Sequence, residues 1–171
     1  MQLSKSGLTW SQMLRFLALL LISTSVLALD PGQAELKAKA LNSYAAHVLK
    51  YRAEHPTGGF PAPPFQLKTL PDPRERLAFL CGSPGGPEPK TDFTAAKLDA
   101  ELEDYAKTFI NDARRNFFSP REKKLYLSTI FRAVFASPAQ AKAFVAPRMA
   151  KSKAEEKAIV ARDTDVEFLG K

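Results

Sequence analysis

An apolar run of 14 residues, Phe16 to Leu29 (FLALLLISTSVLAL), stops at Asp30-Pro31 and separates a short leader from everything that can fold. Ahead of it, Met1 to Arg15 is polar, carries Lys5 and Arg15, and contains no acidic residue. Val26-Leu27-Ala28 puts small residues at the −3 and −1 positions of a cleavage site. A basic, then apolar, then small-residue order is that of a secretion signal. A membrane span needs about 20 apolar residues, more than this run supplies before a charge and a proline end it. No cysteine follows the run to carry a lipid anchor. The expectation is a signal peptide over 1–28, a periplasmic or secreted product, and no transmembrane segment once the signal is removed.

Cleavage there leaves 143 of the 171 residues, enough for one hydrophobic core and too few for two, so 29–171 is expected to form a single domain. Only two of the 25 Lys and Arg fall in the leader and none of the 18 Asp and Glu does, which takes the net charge from +7 to +5. Such an excess favours solubility and weak contact with anionic surfaces or envelope polymers. Nucleic acid is not an expected partner, because no reading motif accompanies the charge. Cys81 is the sole cysteine, so no internal disulfide can form and apolar burial must hold the fold.

Along the chain, Asp30-Pro31 starts a helix, since proline suits the first turn where its missing N–H costs nothing. Leu41, Tyr44, Ala45, Val48 and Leu49 then recur at helical spacing up to His55-Pro56. Six prolines and two glycines between 56 and 75 exclude helix and central strand, while Phe60, Phe65, Leu67 and Leu70 suggest a loop pinned to the surface. The continuous apolar run Leu77 to Cys81 reads as a short buried strand, and residues 82–87 (GSPGGP) as a tight loop. Thr94 is positioned to cap a helix whose stripe is Leu98, Leu102, Tyr105, Ala106, Phe109 and Ile110, with Glu103 and Lys107 paired on its wet side. Phe117-Phe118 and Leu125 to Leu127 read as a hairpin, followed by a short helix from Thr129. Ser137-Pro138 opens another helix ending near Pro147, and Ser152 with Glu155 forms a capping box for a last one to about Ala161. Val166, Phe168 and Leu169 suggest a final strand. The fold class is α+β, with helices packed on a short, mostly antiparallel sheet.

Asp72-Pro73-Arg74, Ala78, Phe79, Cys81, Gly82, Ser83 and Pro87 form a block that resembles the bacterial family known as domain of unknown function 547. The likeness continues through Phe93-Thr94, Phe109 to Asp112, and Leu125 to Phe131, with looser correspondence at Leu41-Asn42, Tyr44 and Val166 to Leu169. It implies a domain similar in arrangement to papain-like and transglutaminase-like folds, with a cysteine and histidine centre. This chain is a shortened and degenerate version. Arg76 stands where the family has its histidine, Gly86 where it has its second cysteine, and Ala45 where it has an asparagine.

Cys81 is the candidate catalytic residue. A thiol nucleophile needs a neighbouring base or an electropositive setting to ionise near neutral pH. Arg76 could lower its pKa but cannot accept a proton. His47 lies between apolar neighbours on the first helix, and His55 ends that helix, where positive charge suits the dipole. Two histidines and one cysteine without short spacing make no metal site, and no cofactor motif is present, since the 82–87 loop lacks the Lys-Ser/Thr ending of a phosphate loop. Arg148, Lys151, Lys153, Lys157 and Arg162 read as a solvated basic face. The expected role is a non-catalytic binding or interaction module in the envelope or outside the cell, its partner an unidentified protein or envelope polymer. The alternative is a thiol-dependent hydrolase or transferase using Cys81.

Overall fold

A computed structural model describes residues 30–56, 58–63 and 66–170, of which Pro31 onward forms one compact unit. The expected signal over 1–28 lies outside the described residues, as does Phe65. The order is α1 (Pro31–Glu54), α2 (Pro73–Ala78), α3 (Leu98–Ile110), β1 (Phe117–Ser119), β2 (Lys124–Ser128), α4 (Phe131–Val134), α5 (Pro138–Met149), α6 (Lys153–Val160) and β3 (Asp165–Leu169). Short 3-10 turns cover Leu67–Thr69 and Ala95–Lys97. Among the described residues no helix is long and apolar enough to cross a membrane.

The α+β class holds, but the sheet is mixed. β1 pairs antiparallel with β2, Phe118 opposite Leu125, while β3 pairs parallel with β2, Val166 beside Leu125. The physical reason is the connection. A tight turn reverses the chain between β1 and β2, whereas three helices intervene before β3, and a helical crossover returns a strand in the same direction.

Helical periodicity sets α1, whose buried residues are Ala34, Ala38, Leu41, Tyr44, Ala45 and Val48; Leu49 falls off this stripe and is 46% exposed. The Tyr44 hydroxyl donates to the Pro61 carbonyl at 2.9 Å, pinning the proline-rich loop to α1. Two caps form as expected. Ser137 Oγ accepts from Gln140 N to start α5, and Ser152 Oγ accepts from Glu155 N to start α6. The Glu155 carboxylate reaches back to Lys151 N rather than to the cap residue. Pro147 lies inside α5, which runs on to Met149, and the short helix begins at Phe131 rather than Thr129. Thr94 does not cap by accepting. Its N–H and hydroxyl instead donate to the Glu101 carboxylate at 2.7 and 3.0 Å.

The main correction is residues 77–81, which are not a strand. Asp72 accepts from Arg74 N, Pro73 occupies the first turn, and α2 runs to Ala78 before hydrogen-bonded turns carry the chain through Cys81. This segment sits between two apolar clusters. Leu77 and Leu80 join one with Phe109, Leu125, Leu127 and Phe131, while Ala78, Phe79 and Cys81 join the other with Leu41, Val48 and Leu102. Burial on both sides makes every position apolar, and a continuous apolar run does not distinguish strand from helix.

Glu75 on α2 is buried, with 4% of its side chain exposed, and its Oε1 meets Lys37 Nζ of α1 at 2.5 Å. Removing the cation leaves a buried carboxylate uncompensated. Lys37→Ala is expected to lower stability at pH 7 by about 2–4 kcal/mol, below the full cost of breaking an enclosed pair because Lys37 is itself 29% exposed. Denaturant titration measures this, and adding Glu75→Leu should recover most of the loss. A single variant as stable as wild type would show that the pair does not hold α2 against α1.

Candidate functional site

Cys81 follows the turn after α2, its N–H donating to the Ala78 carbonyl at 3.2 Å. It is 1% exposed, packed in the cluster that includes Tyr44, Val48, Phe79, Phe93 and Leu102. Loss of solvent pushes its thiol up to about 11, with Arg52 opposing that rise and Glu88 adding to it. Arg76, which could have lowered the thiol pKa, is engaged elsewhere. Its Nε donates to the Leu70 carbonyl at 2.7 Å and its Nη1 to the Val134 carbonyl at 2.8 Å, tying α2 to the preceding loop and to α4.

Neither histidine enters the buried cluster. His47 is exposed on α1, next to but off the stripe that buries Val48. His55 is exposed at the helix end, its ring stacked on Tyr51 at 4.2 Å and its Nδ1 3.1 Å from the Tyr51 carbonyl. Among the described residues no group of three or more His, Cys, Asp or Glu could hold a metal ion. The sequence-predicted residues are therefore not assembled into a thiol centre.

The loop after Cys81 has a different role from the one its glycines suggest. Gly82 N donates to the Pro87 carbonyl, Ser83 N to Leu80, and Gly86 N to Ser83, so these amides are used within the loop and do not face a ligand. Gly82 has φ +75°, and a Cβ there would lie 2.3 Å from Val48 Cγ1, which is why α1 can back directly onto the turn. The loop's glycine carbonyls are taken up by side chains from other elements. Gly82 O accepts from Arg52 Nη2 at 3.2 Å, Gly86 O from Arg115 Nη1, and Gly85 O from the Ser128 hydroxyl at 2.7 Å.

The two arginine contacts flank a polar cleft of about 600 Å³ bordered by Arg52, His55, the 82–86 loop, Glu88 and Arg115. A second hollow of about 300 Å³ shares Glu88 and Arg115 and adds Pro87, Tyr105, Thr108, Phe109, Asp112 and Arg114. Glu88 lies between the two guanidinium groups, 3.1 Å from Arg52 Nη1 and 3.7 Å from Arg115 Nη2. No local sequence signal marks this arrangement. Its three charged residues come from α1, from the loop beyond α2 and from the turn after α3, and each alone reads as a surface charge.

The other large hollow, about 710 Å³, is bordered by α5, α6 and β3. Its buried Lys142 donates to the Ala161 and Thr164 carbonyls at 2.6 and 2.9 Å, placing a cation at the C-terminal end of α6, where the helix dipole favours one. The basic C-terminal quarter is likewise not uniformly solvated. Arg148 lies over the Phe144 ring at 4.0 Å and bonds Glu103 at 2.7 Å, joining α5 to α3, while Lys153 pairs with Glu156. Compared with protein-family models, curated proteins and solved structures, the chain gives no match.

Proposed function

We propose that this chain is an exported domain of the bacterial envelope or extracellular space, acting as a non-catalytic binding or interaction module. On this reading it is a degenerate relative of the unknown-function family it resembles. The observation that carries the proposal is the setting of Cys81, whose thiol is desolvated, raised in pKa and enclosed by apolar side chains, with both histidines at exposed positions. A thiol nucleophile needs the opposite setting, partly exposed and electropositive with a base in reach. The partner is an unidentified protein or envelope polymer, and the positive net charge supports weak contact with anionic surfaces.

Alkylation of Cys81 tests the non-catalytic part. Rapid reaction with iodoacetamide at pH 6, lost in Cys81→Ser, would favour a thiol-dependent hydrolase or transferase instead. Export is tested separately. Mass spectrometry of protein recovered from its native host should find a chain beginning at Leu29 in the soluble fraction. A chain retaining Met1 in the membrane fraction would overturn the export reading.

A further inference from the structure

We infer that the cleft between Arg52 and Arg115 is a binding site for a ligand carboxylate, and that Glu88 is its displaceable internal occupant. The inference rests on the reading of this chain as a binding module and gives that module a ligand chemistry.

Both guanidinium groups are positioned by acceptors other than Glu88. Arg52 Nη2 is anchored on the Gly82 carbonyl, and Arg115 is anchored on the Gly86 carbonyl and on Asp112, whose Oδ2 lies 3.4 Å from its Nε. Each then turns one remaining nitrogen towards the same point. Glu88 Oε2 faces Arg52 and Glu88 Oε1 faces Arg115, one carboxylate oxygen for each guanidinium. Planar guanidinium donors match a carboxylate in shape as well as in charge. Because the arginines are held by the loop, the two-point receptor persists when the Glu88 side chain leaves.

The occupant is weakly held. The Glu88 side chain is 71% exposed, and a solvated ion pair contributes little to holding a side chain in place. Its backbone, by contrast, is fixed, because its carbonyl accepts from the Tyr105 hydroxyl at 2.6 Å. The side chain can swing out without moving the loop. Its position also selects the ligand. Glu88 and Arg115 border both the polar cleft and the hollow lined by Pro87, Tyr105, Thr108, Phe109, Asp112 and Arg114. A carboxylate arriving between the arginines therefore carries its neighbouring group towards a hollow whose open lining is more apolar than polar, with the half-buried Tyr105 ring on its wall and Asp112 and Arg114 beside it, which fits the C-terminal end of a peptide with an apolar last residue better than an acidic sugar.

Glu88→Gln removes the internal charge while keeping the side chain's size. Isothermal titration should show N-acetylphenylalanine binding this variant about two- to fivefold more tightly than wild type, the gain expected when an intramolecular competitor held by a solvated ion pair is removed. N-acetylphenylalaninamide should not bind, and glucuronate should bind more weakly. Adding Arg52→Gln, or separately Arg115→Gln, should abolish acid binding in a protein whose thermal midpoint shows it folded. Binding that ignores the free carboxylate, no gain on Glu88→Gln, or binding that survives loss of either arginine in folded protein would overturn the site. A preference for glucuronate would overturn the apolar-neighbour assignment. Failure here leaves the non-catalytic reading standing, since that reading is decided by the reactivity of Cys81.

Discussion

Native Cys81 is expected to react with iodoacetamide at least about a hundredfold more slowly than the same thiol in denatured protein, at any pH from 6 to 8. The reacting species is the thiolate, and the folded environment raises the thiol pKa from 9.0 to about 11. Below both values the thiolate fraction grows tenfold with each pH unit in either state. The ratio between states therefore stays constant at about a hundredfold, the factor set by a two-unit difference. Enclosure adds to this, because at 1% exposure the sulfur must become accessible before the reagent can reach it. The sign of the linked stability effect follows. The folded state retains the proton after the unfolded thiol has begun to lose it, so this contribution is intact below about pH 9 and declines as pH rises towards 11. Burial raises Tyr44 to about 12 and raises Tyr105 too, so both act in the same alkaline direction. Labelling native and urea-unfolded protein over a pH series measures the ratio. Equal rates would place the sulfur at the surface and remove the main support for a non-catalytic role.

Phe109→Ala is expected to cost about 3–5 kcal/mol, the range for truncating a buried aromatic side chain without refilling its space. Phe109 is 4% exposed, and its ring stacks at 5.6 Å on that of Phe131, which is itself fully enclosed. Phe131 stacks in turn on Phe135 at 6.1 Å, so the cavity would open at one end of a row of rings linking α3 to α4. The Phe109 carbonyl accepts from Asn116 Nδ2 at 2.8 Å, and Asn116 Oδ1 accepts from Ser128 N at 2.9 Å. That backbone link to the end of β2 survives the substitution, so the loss should be one of packing. The urea midpoint should fall while the slope of the transition stays near wild type. An unchanged midpoint would show that this face of α3 is not the one the fold depends on.

The stripe Leu98, Leu102, Ala106, Phe109 and Ile110 was legible because a helix face is written in residues three and four apart. The stripe of α1 and the serine caps of α5 and α6 were legible for the same reason, since each depends on neighbours within a turn or two. The β1–β2 hairpin was legible from a short turn between apolar runs. Residues 77–81 were misread because the feature that sets them apart, core on both sides, leaves no alternation in the sequence. Glu75 gave no local sign of burial, since its cation, Lys37, lies 38 residues away. The direction of β3 depended on where three helices return the chain. The cleft at Glu88 was wholly hidden, because it is made by charges drawn from three separate parts of the chain.

By itself the sequence determined the α+β class, the principal helices and their caps, and a core that must stand without a disulfide. These follow from local spacing, from the few residues that start or stop a helix, and from the presence of a single cysteine. Only the tertiary structure decided that Cys81 is enclosed with its thiol raised, that Arg76 serves backbone carbonyls, and that Arg52 and Arg115 converge on one carboxylate. Desolvation and charge pairing act through space over a few ångströms, and many of the residues that supply them here, such as Val48 and Leu102 around Cys81 or Arg52 and Arg115 around Glu88, lie far apart along the chain.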